Sequence, residues 1–152
     1  MADNFLSVTY VDNLIGTRVR TALFTEGITY KSAAFLGTCC AATAVIQNAI
    51  QSAGYEVPGT TTDEFIKLAT LGEFVRIAFA RPDKKLQLPE DYDSSAWMTA
   101  RKLILSGDAE LSLSQSVTEG HGGISATSTT DSPTVFHRAD MDVWDSAASE
   151  DD

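Results

Sequence analysis

The chain is short of the residues on which most protein chemistry depends. Its 152 residues include only two cysteines, two histidines and four prolines. The cysteines, Cys39 and Cys40, are adjacent. On a helix, neighbouring side chains point about 100° apart, and a disulfide between them closes a strained ring. Both therefore read as small apolar residues in a reducing compartment, which excludes a disulfide-stapled scaffold. A metal centre needs several ligands at suitable spacing, and beyond the cysteines the chain could add only His121 and His137. No metal and no cofactor are expected.

Bases are also scarce, 11 against 21 acids, for a formal charge of -10. The imbalance is uneven. Met1 to Ser112 carries 13 acids and 10 bases, whereas Leu113 to Asp152 carries 8 acids and the single base Arg138. A near-neutral body lacks the clustered Lys and Arg that displace counterions from phosphates, which argues against a dedicated nucleic-acid binder. The one basic cluster, "RPDKK" from Arg81 to Lys85, reads as a solvated loop. No apolar run approaches the roughly 18 residues of a membrane span, so no membrane partner is expected. The opening "MADNFLSVTY" has no basic stretch followed by an apolar one, and the expectation is synthesis in the cytosol.

Catalytic signatures are missing too. There is no nucleophile elbow, zinc-protease motif, P-loop or dinucleotide fingerprint. "EGHGG", Glu119 to Gly123, lacks the Lys and helix that give a phosphate loop its meaning and reads as a linker. His121 and His137 fall where nothing rigid would hold a general base against a substrate. The carboxylates Glu90, Asp91 and Asp93 resemble a crude cation site, but they immediately precede a helical pattern, where acids complement the dipole. An enzyme is not expected.

What the sequence does contain is helical periodicity. "YVDNLIGTRVRTALF" repeats Val11, Leu14, Ile15, Val19, Ala22 and Leu23 at three-four spacing and predicts a first helix starting near Thr9 or Asp12. After a turn at "TEGITY", the longest apolar-rich segment, "KSAAFLGTCCAATAVIQNAIQSAGY", predicts a central helix. Its stripe runs through Ala34, Leu36, Cys39, Cys40, Thr43, Ile46, Ala49, Ile50 and Ala53, with Gly54 as C-terminal stop. Its Ala content and Gly37 suggest a closely approaching neighbour. Thr61 and Glu64 fit a capping box for a third helix, "DEFIKLATLGEFVRIAFAR", which is apolar on more than one side and ends before Pro82. "SSAWMTARKLILSGD" predicts a fourth, capped by Asp93 or Ser94 and stopped by Gly107. The fold class is mainly α: a small four-helix bundle over residues 1–112 with a long extended C-terminal arm over 113–152.

The arm opens with "SLSQSVTEGHGGISATSTTDSPT", a run rich in Gly, Ser and Thr. It shows no sustained helical stripe, although "LSLSQSV" alternates partly and could pair as a strand with a neighbour. Yet it closes on "DSPTVFHRADMDVWD", residues 131–145, where Val, Phe, Met and Trp are interleaved with acids. A segment that buries nothing has no use for Phe136 and Trp144, so the island reads as something to be docked on a partner.

These features, in this order, resemble the small head-to-tail connector proteins of tailed bacteriophages, closest to the Mu-type neck protein family and its adaptor relatives. The resemblance rests on "AIQSAGYEVP", "DEFIKLATLGEFVRIAFARP", "AWMTARKLILSGDAEL" and "SPTVFHRADMDVW", and it covers nearly the whole chain. In that family the arm ends with Pro, any residue, Val, Phe, a polar residue, Arg, Asp or Ala, then an aromatic. Here Pro133, Val135, Phe136, Arg138, Asp140 and Trp144 meet the pattern, with Trp144 in place of Phe or Tyr and "DSAASEDD" as an additional acidic end. The resemblance implies a non-catalytic adaptor that forms a ring of about twelve copies beneath the portal protein, above a stopper or tail-completion protein. DNA would pass through without sequence-specific binding, in the virion neck. Pro133, Val135, Phe136, Arg138 and Trp144 would be the partner-docking residues, the aromatics as anchors and Arg138 facing a carboxylate. A sliding duplex needs a lining that does not grip phosphates, so Glu90, Asp91 and Asp93 are expected to face the channel. The competing expectation is a non-catalytic regulatory adaptor whose acidic tail binds a basic protein partner.

Overall fold

The structure is a computed structural model that describes residues 4–115. Among these residues the chain is mainly helical, with a two-stranded antiparallel hairpin. The elements run α1 (Val8–Ile15), α2 (Thr17–Phe24), β1 (Thr25–Glu26), β2 (Thr29–Tyr30), α3 (Ser32–Ser52), α4 (Glu64–Phe79) and α5 (Ala96–Ser106), with a 3₁₀ turn at Tyr92–Ser94.

The segment expected to form the first helix is two helices. Ser7 opens α1 by accepting from the Tyr10 amide, so neither Thr9 nor Asp12 is the cap. Gly16 then adopts φ 87°, ending α1 and capping α2. That left-handed conformation is open to glycine and strained for other residues, and it turns the chain out of the shared helical axis. Across the break, Arg20 donates to both Asp12 carboxylate oxygens at 2.5 and 3.0 Å and to the Tyr30 hydroxyl at 2.5 Å. Its guanidinium also lies over the Tyr30 and Phe35 rings. One arginine thus ties α1, α2, the hairpin and α3 together.

α4 is the central helix, packed against both α3 and α5. Its buried residues, from Ile66 through Ala69, Thr70, Leu71, Phe74, Val75 and Ala78, occupy every side, as its mixed apolar pattern predicted. The expected capping residue Thr61 instead accepts from the Asp63 amide, and Asp63 caps α4 through the amides of Phe65 and Ile66. Two apolar groups fill the interior. One centres on Phe24, Phe35 and Phe74, whose ring centroids lie 5.4 to 5.9 Å apart, mostly edge to face. The other joins Phe5, Ile46, Ile50, Ile66, Ala69, Ala100, Ile104 and Ala109.

α3 buries its expected stripe at Cys39, Thr43, Ile46 and Ile50 but departs from it elsewhere: Phe35 and Ala42 are buried, while Leu36 is half exposed. The close approach expected at Gly37 is found at Gly72 instead, where an added Cβ would lie 2.6 Å from the Trp97 carbonyl oxygen. Gly54, at φ 86°, closes α3 in a Schellman arrangement, with Tyr55 N–H donating to Ile50 and Gly54 N–H to Gln51. By length and composition alone α3 could cross a membrane, contrary to the expectation that nothing approached a span. Its scattered Ser, Thr, Asn and Gln hide this in a count of unbroken apolar runs, and its buried face is part of the domain core.

Ser95, not Asp93 or Ser94, caps α5, and Gly107 stops it in the left-handed conformation at φ 78°. The chain stays packed past Ser112. Leu111 and Leu113 lie against the second apolar group, and Gln115 bridges Tyr55 antiparallel.

Candidate assembly surface

Three surface features stand out once the core is assigned, and each follows from local sequence. The first is the outward side of α3. The helix has no charged residue in 21 positions, so with one face buried the other exposes Ala33, Leu36, Gly37, Ala41 and Ala44. A surface helix of a monomer normally carries Lys, Arg and Glu on its wet face. Here water meets small and apolar groups along most of the face, joined near its ends by the uncharged Ser32, Asn48, Gln51 and Ser52.

The second is a groove of about 650 Å³ lined chiefly by Leu14, Ile15, Val19, Ala22, Phe79 and Trp97, with Leu86, Pro89 and Gln87 beside them. The groove lies beside the Gly16 break, with Leu14 on one side and Val19 on the other, 40% and 37% exposed. Arg18 and Asp91 add one charge of each sign to the lining. Among the described residues, the Arg18 guanidinium has no hydrogen bond or ion pair.

The third is the hairpin tip. Gly27 at φ 62° makes the tight turn and leaves Ile28 101% exposed, the most exposed large apolar side chain among the described residues. The hairpin is held firmly from beneath. Lys84 donates to the Thr25 carbonyl, Arg81 lies over Phe24 and 3.7 Å from Glu26, and the Lys31 amide donates to the Phe24 carbonyl at 2.7 Å. The basic cluster expected to be a solvated loop is therefore partly structural, because Arg81 and Lys84 are engaged with the hairpin.

Glu90, Asp91 and Asp93 are all exposed and surround Tyr92, which is buried and donates its hydroxyl to the Gly72 carbonyl at 2.8 Å. None of these acids lies in the first turn of α5, so the expected dipole role does not apply to that helix. Among the described residues no group of three or more His, Cys, Asp or Glu could hold a metal ion. Both cysteines are free, and burial pushes the Cys39 thiol up to about 12, making it a poor nucleophile. Pro133, Val135, Phe136, Arg138, Asp140 and Trp144, together with His121 and His137, lie outside the described residues.

Sequence reasoning overlooked one ionic cluster. Glu73, 1% exposed, accepts from Arg76 at 2.5 and 3.0 Å and from Arg101 at 2.5 Å. Burial alone would raise its pKa, but the two guanidiniums outweigh burial and hold the carboxyl below the usual glutamate range. The signal was a lone acid inside the apolar stretch "LGEFVRIAF", three residues before an arginine. A carboxylate so neutralised and enclosed serves to join α4 to α5 and is unsuited to proton transfer.

Comparison of the chain with protein-family models, with curated proteins and with solved structures returns no match.

Proposed function

We propose that this chain is a structural head-to-tail connector of a tailed-bacteriophage neck: a four-helix-type bundle with a C-terminal arm, assembled as a ring beneath the portal. The observation that carries the reading is the uncharged outward side of α3, which a chain living alone in water has no reason to keep. Covered by other subunits, it becomes ordinary interface core. The resemblance of the helical segments and of the 131–145 island to adaptor proteins supplies the identity of the assembly. In this reading the island docks on the portal or a neighbouring subunit through Val135, Phe136 and Trp144. The exposed acids Glu90, Asp91 and Asp93 face the channel, where they keep the duplex from adhering.

The test is co-sedimentation with the portal ring of the same genome, comparing the full chain with one truncated after Gln115. That boundary keeps Leu113 and the Tyr55–Gln115 bridge intact. Ring-like stoichiometry for the full chain, lost on truncation, supports a connector anchored by its arm. Equal binding by both would give the joint to the helical body. No binding by either would sink the connector and favour the regulatory adaptor, whose acidic tail should then pull down a basic protein at small fixed stoichiometry.

A further inference from the structure

We infer that the tip of the hairpin is a knob that seats in the α1–α2 groove of a second copy of this chain, joining copies head to tail. The inference rests on the ring-forming reading above and names the contact between neighbours.

The knob comes first. Two-residue hairpin turns favour Gly, Asn and Asp, which tolerate the turn and bond with water. Position 28 instead holds a β-branched apolar residue with its whole side chain in solvent. Gly27 takes the positive φ, so Ile28 is not needed for the turn itself. The contacts from Lys84, Arg81 and Lys31 fix the hairpin before any partner arrives, which reduces the ordering entropy lost on docking.

The groove is the complementary feature. It is walled by aliphatic and aromatic groups and large enough to take a branched side chain with its turn. Charges match as well. Beside Ile28, Glu26 is half exposed; its carboxylate contacts Arg81 and Lys31 only at 3.7 and 3.8 Å and has no hydrogen bond among the described residues. Lys31 is similarly exposed. The groove offers Arg18 and Asp91. Seating the knob brings Glu26 and Lys31, which within one copy make only long ion contacts at 3.7 and 3.8 Å, to Arg18 and Asp91 of the groove, so the groove charges gain opposite-sign partners across the joint. Asp91 then belongs to the joint, leaving Glu90 and Asp93 for the channel.

Because knob and groove are different patches, the contact is heterologous. Repeating it closes a ring or extends a filament, depending on the rotation between copies.

The experiment uses the full chain and two variants, Ile28→Asp and Val19→Glu, at exposed positions where circular dichroism and thermal unfolding should show an unchanged fold. Sedimentation velocity over rising concentration should show the parent self-associating and each variant weakened by about tenfold or more. Mixing the variants should restore one sound joint, between the intact Ile28 of one and the intact groove of the other, giving a one-to-one dimer as the largest species. A photo-crosslinker at position 28 should map to Leu14, Val19 or Trp97. The inference is overturned if the parent stays monomeric up to about millimolar strength, if Ile28→Asp assembles like the parent, if the mixture forms no dimer, or if the crosslinker at position 28 maps to residues 131–145 instead of the groove. Portal co-sedimentation separates this from the connector reading. Unchanged ring stoichiometry for Ile28→Asp would remove the joint and keep the connector, whereas a working joint without portal binding would keep the joint and remove the connector.

Discussion

Replacing Glu73 by Gln asks how much of the α4–α5 contact depends on charge. The side chain keeps its size and an acceptor oxygen, and only the negative charge leaves. Arg76 is 46% exposed and can recover water, but Arg101 is 16% exposed and its Nε faces Glu73 at 2.5 Å. Removing one member of a buried pair typically costs about 3–5 kcal/mol, because the other charge stays enclosed and uncompensated. The open side of Arg76 and the surviving acceptor place this case at the lower end, about 3 kcal/mol. With an unfolding entropy of about 2.1 cal/mol/K per residue over roughly 110 folded residues, the melting temperature should fall by about 13 °C. Urea and thermal unfolding followed by far-ultraviolet circular dichroism at neutral pH measure it. Combining Glu73→Gln with Arg101→Met should cost less than the two separate changes added, by about 1–3 kcal/mol. A loss under about 1 kcal/mol, or strict additivity, would refute the assignment of Glu73 as the charge that binds the helices.

The same carboxylate fixes how stability responds to acid. Its folded pKa is depressed below the ordinary value of 4.5, so the folded state holds the proton less readily than the unfolded one. The stabilisation is complete above the unfolded value and disappears as pH falls through the depressed folded value. Asp12 shifts in the same direction, chiefly through its hydrogen bonds from Arg20, and adds to the same acid limb. Stability of the parent and of Glu73→Gln should therefore differ most near neutrality and converge below pH 4.5.

The three longer helices were legible because length, apolar content and stop signals agreed, Gly54 after α3, Pro82 just beyond α4 and Gly107 at the end of α5. The break at Gly16 was not, because Val11 to Leu23 keeps three-four spacing straight through it; periodicity records which residues are apolar and ignores one residue's backbone angle. α3 hid part of its buried face, at Phe35 and Ala42, for another reason. With Ala, Leu and Cys on all sides and no charge to mark the wet one, the pattern could not choose between Leu36 and Phe35. Competing caps in "TTTD" and "DSS" differ only by position, and position is set by where the neighbouring helix holds the chain. Ile28 sat inside a turn, where an apolar residue carries no periodic signal. The surfaces on which the proposed assembly rests all come from such failures: the exposed side of α3, the groove beside Gly16 and the apolar hairpin tip. Exposed apolar groups are where local patterning and burial disagree, and they are where the proposed contacts are to be tested.

Two further substitutions probe how α4 is set. Asp63→Ala removes the acceptor for the Phe65 and Ile66 amides, at 2.9 and 3.3 Å, and the contact with the Ser112 hydroxyl at 3.2 Å. It should cost about 1–2 kcal/mol in urea unfolding, with Asp63→Asn retaining most of the stability. Gly72→Ala is the sharper case, since a methyl group normally favours a helix by about 1 kcal/mol over glycine. Here the added Cβ meets the Trp97 carbonyl oxygen at 2.6 Å and its carbon at 2.9 Å, backbone atoms of α5 that no rotamer change can move. The helices must separate, which also strains the Tyr92 hydrogen bond to the Gly72 carbonyl and the Glu73–Arg101 pair beside it. The net result should be a loss of about 1–3 kcal/mol rather than a gain. An alanine at 72 that stabilises the chain would mean that α5 is free to step back, and that the contact at Gly72 does not set the distance between the two helices.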